Sequence, residues 1–189
     1  MLKNFKTLAL AAFALVAFTT QAQTAKKINI EKSSINWVGK KVTGQHNGTV
    51  NLKEGNLVFK DEALVGGKFI VDMTTINTTD LQGEWAQKLN NHLKADDFFG
   101  VEKYPTATLQ FKKIADKGNN VYTIYADLTI KDITNPVSFD IVIGKNTATT
   151  KLTIDRTKFD IKYKSGSFFE NLGDKAIYDD FELDINLVF

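Results

Sequence analysis

Residues 121–143 read VYTIYADLTIKDITNPVSFDIVI. Apolar side chains occupy every second position of the first half, at Tyr122, Ile124, Ala126, Leu128 and Ile130. The second half repeats this alternation from Val137 to Ile143. An alternation with a period of two indicates a strand that buries one face and exposes the other. This stretch therefore predicts two strands that are neighbours along the chain.

The same alternation recurs in most of the chain after residue 34. The other apolar runs are Ile35–Trp37, Leu57–Phe59, Phe69–Met73, Ala107–Phe111, Leu152–Ile154, Phe159–Tyr163 and Phe181–Phe189. Residues typical of turns fall between runs, at Lys53-Glu54-Gly55, Gly66-Gly67, Gly118-Asn119-Asn120 and Thr134-Asn135-Pro136. About eight strands with short connections predict an all-β protein whose antiparallel meander closes into a barrel or folds into a sandwich.

One segment has the periodicity of a helix instead. Trp85, Leu89 and Leu93 recur every four residues, which predicts one short amphipathic helix. The preceding residues Thr79–Gln82 fit a capping box, and Gly100 suits the reversal of the chain after the helix. We expect the helix to pack on the side of the barrel or to cover one end of it.

The first 22 residues are predicted to be a secretory signal peptide. Lys3 and Lys6 precede the apolar run Leu8–Phe18, which is too short to span a bilayer, and Thr20-Gln21-Ala22 suits a peptidase. These two lysines account for the whole formal net charge of +2, so residues 23–189 are neutral and we expect no nucleic-acid partner. We expect one exported domain, periplasmic or secreted, over residues 23–189, without a transmembrane span.

Alternation alone does not tell which face of a barrel points inward. A barrel in water buries its apolar face, whereas an outer-membrane barrel turns it towards lipid. The polar face here carries a heavy charge load for the narrow lumen of a small membrane barrel. These charges include Lys60, Lys112, Asp127, Asp140, Glu182 and Asp184. We therefore expect the apolar face to lie inside.

The sequence contains no recognisable catalytic signature, and we expect neither a catalytic residue nor a metal site. The chain has no cysteine and two histidines. His92 lies close in sequence to Asp96 and Asp97, a group that an exposed helix end explains better than a cation site. Arg156 is the single arginine of the chain. Its planar guanidinium suits either a structural bond to a carboxylate at the barrel rim or the anionic head of a ligand.

Several longer strings resemble the YceI-like family of periplasmic or secreted lipid-binding proteins. The strings that carry the resemblance are Ser34–Trp37, Gly67–Ile76, His92–Phe99, Glu102–Ala107, Leu128–Val137 and Ile154–Arg156. The resemblance covers about residues 26–189 in order. Asp132 and Gly100 depart from the residues that are common in the family, and Lys40–Asn47 match it least.

The resemblance implies a lipocalin-like antiparallel barrel with a helix, which encloses a tunnel for a long apolar chain. Family members are described as binding polyisoprenoids, quinone-related isoprenoids or fatty amides. The resemblance thus implies a binding protein, not an enzyme, with a long-chain lipid as its partner and no other cofactor. An enzyme that acts on a bound lipid and a packed barrel without a ligand remain alternatives, and a homodimer is left open.

Alternation then selects the side chains that would form the tunnel wall. The predicted wall residues are Trp37, Phe69, Val71, Met73, Leu109, Phe111, Leu128, Phe139, Ile141, Phe181 and Leu183. Phe98 and Phe99, which follow the helix, are predicted to close the tunnel.

Overall fold

The computed structural model describes residues 22–189 and contains nine strands and one α-helix, α1, at Gly83–Lys94. The strands are β1 Thr24–Lys27, β2 Ser34–Lys41, β3 Gly44–Lys60, β4 Ala63–Thr78, β5 Thr106–Asp116, β6 Val121–Ile130, β7 Ile133–Ile143, β8 Thr147–Asp155 and β9 Ile177–Val188. The predicted signal peptide, residues 1–22, lies outside the described residues except for Ala22. Within residues 22–189, no helix is long and apolar enough to cross a membrane.

Strands β2 to β9 form a closed antiparallel barrel of eight strands. Each pairs with its neighbour along the chain, and β9 pairs with β2 to close the ring. The short strand β1 pairs with Asn56–Phe59 of β3 beyond the end of β2, so it extends the sheet without entering the ring. The predicted all-β architecture, a barrel of about eight strands with one short helix, is confirmed.

The apolar face of the barrel points inward, as expected. In β6 the residues Tyr122, Ile124, Ala126, Leu128 and Ile130 are all buried. The charged side chains of the other face, such as Lys60, Lys112, Asp140 and Glu182, are exposed on the outside. The interior is therefore an apolar space enclosed by side chains from every strand of the ring.

The strands β3 and β4 are 17 and 16 residues long, and two of the predicted turns are wrong because they lie inside these strands. Lys53-Glu54-Gly55 lies inside β3 beside a shift in register, and Gly66-Gly67 lies inside β4. The chain turns instead at Asp61-Glu62. The predicted turn at Thr134-Asn135-Pro136 is also wrong, because β7 already begins at Ile133 after a two-residue turn. Lys131 and Asp132 form that turn with φ of 52° and 59°.

Two glycines of the wrongly predicted turns, Gly55 and Gly67, make room for aromatic rings on neighbouring strands. A Cβ atom on Gly55 would lie 2.6 Å from the ring of Phe69, and one on Gly67 would lie 2.8 Å from the ring of Phe111. A third glycine, Gly48, faces Trp37 across the β2–β3 pair. These close approaches require glycine for space and explain why a reading of Gly55 and Gly67 as turns fails.

The barrel has one weakly paired seam, between β7 and β8. Although these strands have 11 and nine residues, their register pairs cover only Ile141–Ile143 with Ala148–Thr150. The Thr150 hydroxyl donates to the Asp140 carbonyl at 2.6 Å. Beyond it, a 3-10 helix at Arg156–Phe159 packs against β7. The predicted strand at Phe159–Tyr163 is therefore wrong, because its first residue ends this helix.

Helix α1 packs against β4 at one end of the barrel. Leu93, in its last turn, is buried, whereas Leu89 is half-buried and Trp85 is 70% exposed. The predicted apolar stripe thus extends beyond the surface that supports it. The helix begins at Gly83 and Gln82 makes no capping bond through its side chain, so the predicted capping box is wrong.

Asp80, the acid of that predicted box, instead joins β3 to the end of β4. Its carboxylate accepts hydrogen bonds from the Thr78 hydroxyl at 2.7 Å and from the Asn47 N–H at 3.2 Å. His46 Nδ1 lies 2.8 Å from the other carboxylate oxygen. Burial raises the pKa of Asp80, but these hydrogen bonds outweigh it and hold the pKa below its usual value.

This network predicts a contribution to stability that acid removes. Because the folded pKa of Asp80 is lowered, its contribution is full above the unfolded value of about 3.9 and is lost as the pH falls through the lower folded value. We expect Asp80→Asn to cost about 1 kcal/mol at pH 7 and less at pH 3, measured by urea unfolding. Asp61→Asn, at the β3–β4 turn, is the control. An equal loss at both pH values would contradict the assignment.

Candidate functional site

The interior of the barrel contains a cavity of about 170 Å³. Side chains of all eight ring strands line it, together with Leu93 of α1 and the two phenylalanines that follow the helix. The few polar side chains that reach the wall are Thr150, Arg156, Tyr178 and Asp180. Such a space holds an apolar molecule more readily than water, because water needs polar partners there.

The structure places every residue predicted for the site on the wall of this cavity. They are Trp37, Phe69, Val71, Met73, Phe98, Phe99, Leu109, Phe111, Leu128, Phe139, Ile141, Arg156, Phe181 and Leu183. Val71, Leu109, Phe181 and Leu183 are only partly buried although they point inward. Alternation along the strands therefore selects the cavity wall correctly, while the role of these residues in binding stays a prediction.

Sequence reasoning missed about half of the wall. The additional residues include Ile35, Val50, Leu52, Ile76, Ala107, Ile130, Leu152, Ile154, Ile185 and Leu187. Half of these ten stand two positions from a residue that was selected, so the same alternation could have found them. Val50 and Leu52 gave a weaker signal, because the register of β3 shifts beside them.

Aromatic rings pack against one another on the cavity wall beside the helix, and their predicted role in closing the cavity stays a prediction. The rings of Phe98 and Phe99 are 5.3 Å apart, and Phe99 lies edge-on to Phe181 at 6.3 Å. The ring of His92 covers Phe98 at 5.5 Å and meets Tyr163 at 4.4 Å on its outer side. These contacts form a stack of rings between the cavity and the outside, which we call the aromatic plug: Phe98, Phe99, His92 and Tyr163.

The acids near His92 have their own partners. Asp96 accepts a hydrogen bond from Lys103 at 2.6 Å. His92 Nε2 lies 3.4 Å from a carboxylate oxygen of Asp97. The geometry is that of a helix end with a local ion pair between Lys103 and Asp96, which is the simpler of the two interpretations of these residues.

Arg156 ties the segment after β8 to the start of β9. The side chain is 2% exposed and donates to three backbone carbonyls: Nε to Tyr178 at 3.1 Å, one terminal nitrogen to Ile161 at 2.7 Å and the other to Ile177 at 3.0 Å. Asp179 lies 3.6 Å away. Burial lowers the pKa of the guanidinium, against the attraction of this carboxylate. In the structure Arg156 donates to backbone carbonyls and forms an ion pair with Asp179, while its role towards the head group of a ligand stays a prediction.

Comparison with known proteins places this barrel in a family. A family model described as a YceI-like domain matches residues 27–189. The chain belongs to the YceI-like family. The YceI-like domain thus includes the whole ring, the helix and the cavity, together with Lys27 at the end of β1.

Curated relatives of this YceI-like domain match it over part of their length. A UPF0312 protein of Vibrio parahaemolyticus is 29% identical over 93 residues, which are 49% of this chain and 47% of that protein. Protein YceI of Escherichia coli is 31% identical over 93 residues, or 49% and 46% of the two chains. The match therefore spans about half the length of these relatives.

Solved structures share the fold of the YceI-like domain at low sequence identity. BcnA of Burkholderia cenocepacia is 20% identical, with a TM-score of 0.66 over 86% of this chain and 99% of its own. A polyisoprenoid-binding domain from Saccharophagus degradans is 13% identical, with a TM-score of 0.57 over 85% and 95% of the two chains. At these identities the likeness establishes the barrel and nothing finer.

Proposed function

We propose that this protein binds a long-chain lipid, a polyisoprenoid or an isoprenoid of the quinone type, inside the barrel and carries or sequesters it. The observation that carries the proposal is the apolar cavity inside the barrel, whose wall is formed by side chains from all eight ring strands. Burial against such a wall stabilises a bound chain by about 2.5 kcal/mol per 100 Å² of apolar surface, before the cost of ordering the chain. The polyisoprenoid-binding domain of similar fold supports the same class of ligand.

The proposal requires the wall to yield as the ligand enters. A cavity of about 170 Å³ is close to the size that accommodates one benzene molecule, so it holds a segment of an isoprenoid chain at its present width. Met73 and Leu109 on the wall can change rotamer, and thioether side chains adapt easily to new neighbours. The short β7–β8 ladder gives two strands of the ring room to move apart.

Binding without catalysis is the form of the proposal that the wall supports. Of the polar side chains on it, Arg156 is engaged by three carbonyls and Thr150 donates to the Asp140 carbonyl. Tyr178 and Asp180 lie at the rim, where β9 begins. A catalytic pair would need a base within hydrogen-bond reach of a nucleophile or a transferable proton. We also propose export to the periplasm or the medium, on the strength of the signal-like residues 1–22.

The direct test begins with protein purified from cells that express the full chain. Extraction with organic solvent and mass spectrometry should recover a long-chain isoprenoid in excess over a mock purification. The delipidated protein should then bind all-trans-retinol. The variant Trp85→Phe leaves Trp37, on the cavity wall, as the lone tryptophan. Energy transfer from Trp37 to retinol therefore reports on occupancy of the cavity itself.

A matched pair of variants on β5 separates the cavity from the rest of the barrel. Ala107 lines the cavity, whereas Ala115 on the same strand does not. We expect Ala107→Phe to weaken retinol binding at least tenfold by filling the space, and Ala115→Phe to leave it unchanged. Ala107→Leu serves if the larger side chain prevents folding. The proposal would be overturned if the solvent extract contained no isoprenoid above the mock purification and the Trp85→Phe protein showed no energy transfer from Trp37 to retinol.

A further inference from the structure

The two ends of the barrel differ sharply in their exposed side chains. The end remote from the helix has tight turns of polar residues, such as Asp61-Glu62 and Gly118-Asn119-Asn120. The helix end carries three of the most exposed large hydrophobic side chains among the described residues. Trp85 on α1 is 70% exposed, and Phe168 and Phe169 in the β8–β9 segment are 51% and 50% exposed. Paired exposed phenylalanines at a loop tip are costly in water unless another surface covers them.

A groove of about 280 Å³ runs between α1 and the β8–β9 segment at this end. Leu89 and His92 form its wall on the helix side, and Tyr163 forms the wall opposite. Ile177 lines both this groove and the internal cavity. The groove therefore lies directly outside the cavity, with His92 and Tyr163 of the aromatic plug between the two.

The charges of the groove favour an anionic surface. Lys41, Lys164 and Lys175 line it against one acid, Asp174. Within residues 22–189 none of these three lysines forms an ion pair. The exposed aromatic rings also have ammonium groups beside them. Lys88 lies 4.8 Å from the ring of Trp85, and Lys162 lies 5.0 Å from that of Phe168. Both of these lysines also pair with an acid of their own segment, so the unpaired charge of this end comes from the three lysines of the groove.

The geometry points to a docking face for an anionic phospholipid bilayer at the helix end, formed by the exposed rings of Trp85, Phe168 and Phe169 and by Lys164 and Lys175 of the groove. Aromatic rings settle at the level of the lipid headgroups, and nearby lysines reach the phosphates. Docking by this face brings the groove and the aromatic plug against the bilayer. The internal cavity then faces the membrane across the aromatic plug, which gives the barrel a fixed orientation for exchange with lipid.

The test is sedimentation of the purified protein with vesicles of phosphatidylcholine alone and of phosphatidylcholine with about one third phosphatidylglycerol. We expect binding to the anionic vesicles and at least tenfold weaker partition for Phe168→Ser/Phe169→Ser. Lys164→Glu/Lys175→Glu should lose about fivefold per lysine or more. Matched controls are Tyr125→Ser/Val142→Ser on the barrel flank and Lys60→Glu/Lys145→Glu, whose residues are also exposed.

A second readout follows Trp85 directly. In the Trp37→Phe variant Trp85 is the lone tryptophan, and its emission should shift to shorter wavelength on anionic vesicles only. Absence of vesicle binding by the unaltered protein, or equal losses in the flank controls, would overturn the docking face. A failure of membrane docking is distinguished from a failure of lipid binding by measuring retinol binding without vesicles. We expect Phe168→Ser/Phe169→Ser to bind retinol as the unaltered protein does.

Discussion

Gly48→Ala is expected to destabilise the barrel by about 3 kcal/mol or more, which corresponds to a fall in the melting temperature of roughly 10 °C. A Cβ atom at this position would stand 1.9 Å from the Asn77 carbonyl oxygen and 2.5 Å from the ring of Trp37. The first of these atoms belongs to the backbone of β4, which cannot swing aside as a flexible side chain does. Thermal unfolding followed by circular dichroism measures the effect.

The neighbouring strand supplies a matched control. Gly39 lies on β2, also reaches the cavity wall, and has no heavy atom within 4 Å of an added Cβ. We expect Gly39→Ala to change stability by less than about 1 kcal/mol, because alanine lowers the entropy of the unfolded chain without a clash. Similar melting temperatures for the two variants would show that the close approach at Gly48 relaxes at little cost.

Arg156→Met is expected to cost about 3–4 kcal/mol, because it removes the donor from three backbone carbonyls at once. The carbonyl of Ile161 would stay buried and lose this donor, and the part-buried carbonyls of Ile177 and Tyr178 would lose theirs as well. We also expect the β8–β9 segment to become sensitive to proteases, since these bonds hold both of its ends. Urea unfolding and limited proteolysis at neutral pH measure the two effects.

Two further variants show whether the loss comes from the several donor nitrogens of the guanidinium group, from its charge alone, or from a general effect of methionine on the 3-10 helix. Arg156→Lys keeps the charge but offers one nitrogen in place of three, so we expect it to recover less than half of the loss. Lys158→Met, at an exposed position of the same 3-10 helix, should be nearly neutral. Full stability of Arg156→Lys would mean that charge alone, paired with Asp179, accounts for the effect of Arg156.

Alternation predicts the all-β class and about half of the cavity wall, whereas the choice of a barrel over a sandwich came from the family resemblance. A side chain on a strand points to one of the two faces of the sheet, and in a closed barrel one of these faces is the interior. Because Phe69, Val71 and Met73 are apolar and alternate along the strand, they are expected to point into the interior together. The same logic explains why residues from distant strands meet in one space. It also explains why missed wall residues such as Ile35, Ala107 and Ile185 alternate in step with the residues selected on the same strands.

Features that depend on contacts between strands were beyond the reach of the sequence. In the sequence, Gly55 and Gly67 cannot be told from glycines that form turns. Only the structure shows that their missing side chains leave space for the rings of Phe69 and Phe111. The spacing of Trp85, Leu89 and Leu93 likewise predicts which face of the helix packs on the barrel, but not how much of that face β4 covers. Trp85, expected to contact the barrel, lies in solvent. Asp80 matched a capping pattern, yet Thr78 and Asn47 offered it better donors.

The weak seam between β7 and β8 also bears on how the protein avoids joining with other chains. Strand edges with unused hydrogen-bonding groups can recruit strands from neighbouring molecules and start aggregation. Pro136 on β7 has no N–H to offer such a strand, and Lys151 on β8 is charged and paired with Asp184 at 3.3 Å. The 3-10 helix at Arg156–Phe159 covers part of the remaining edge. The barrel can therefore keep a loosely joined seam in a concentrated solution of its own copies without polymerising through it.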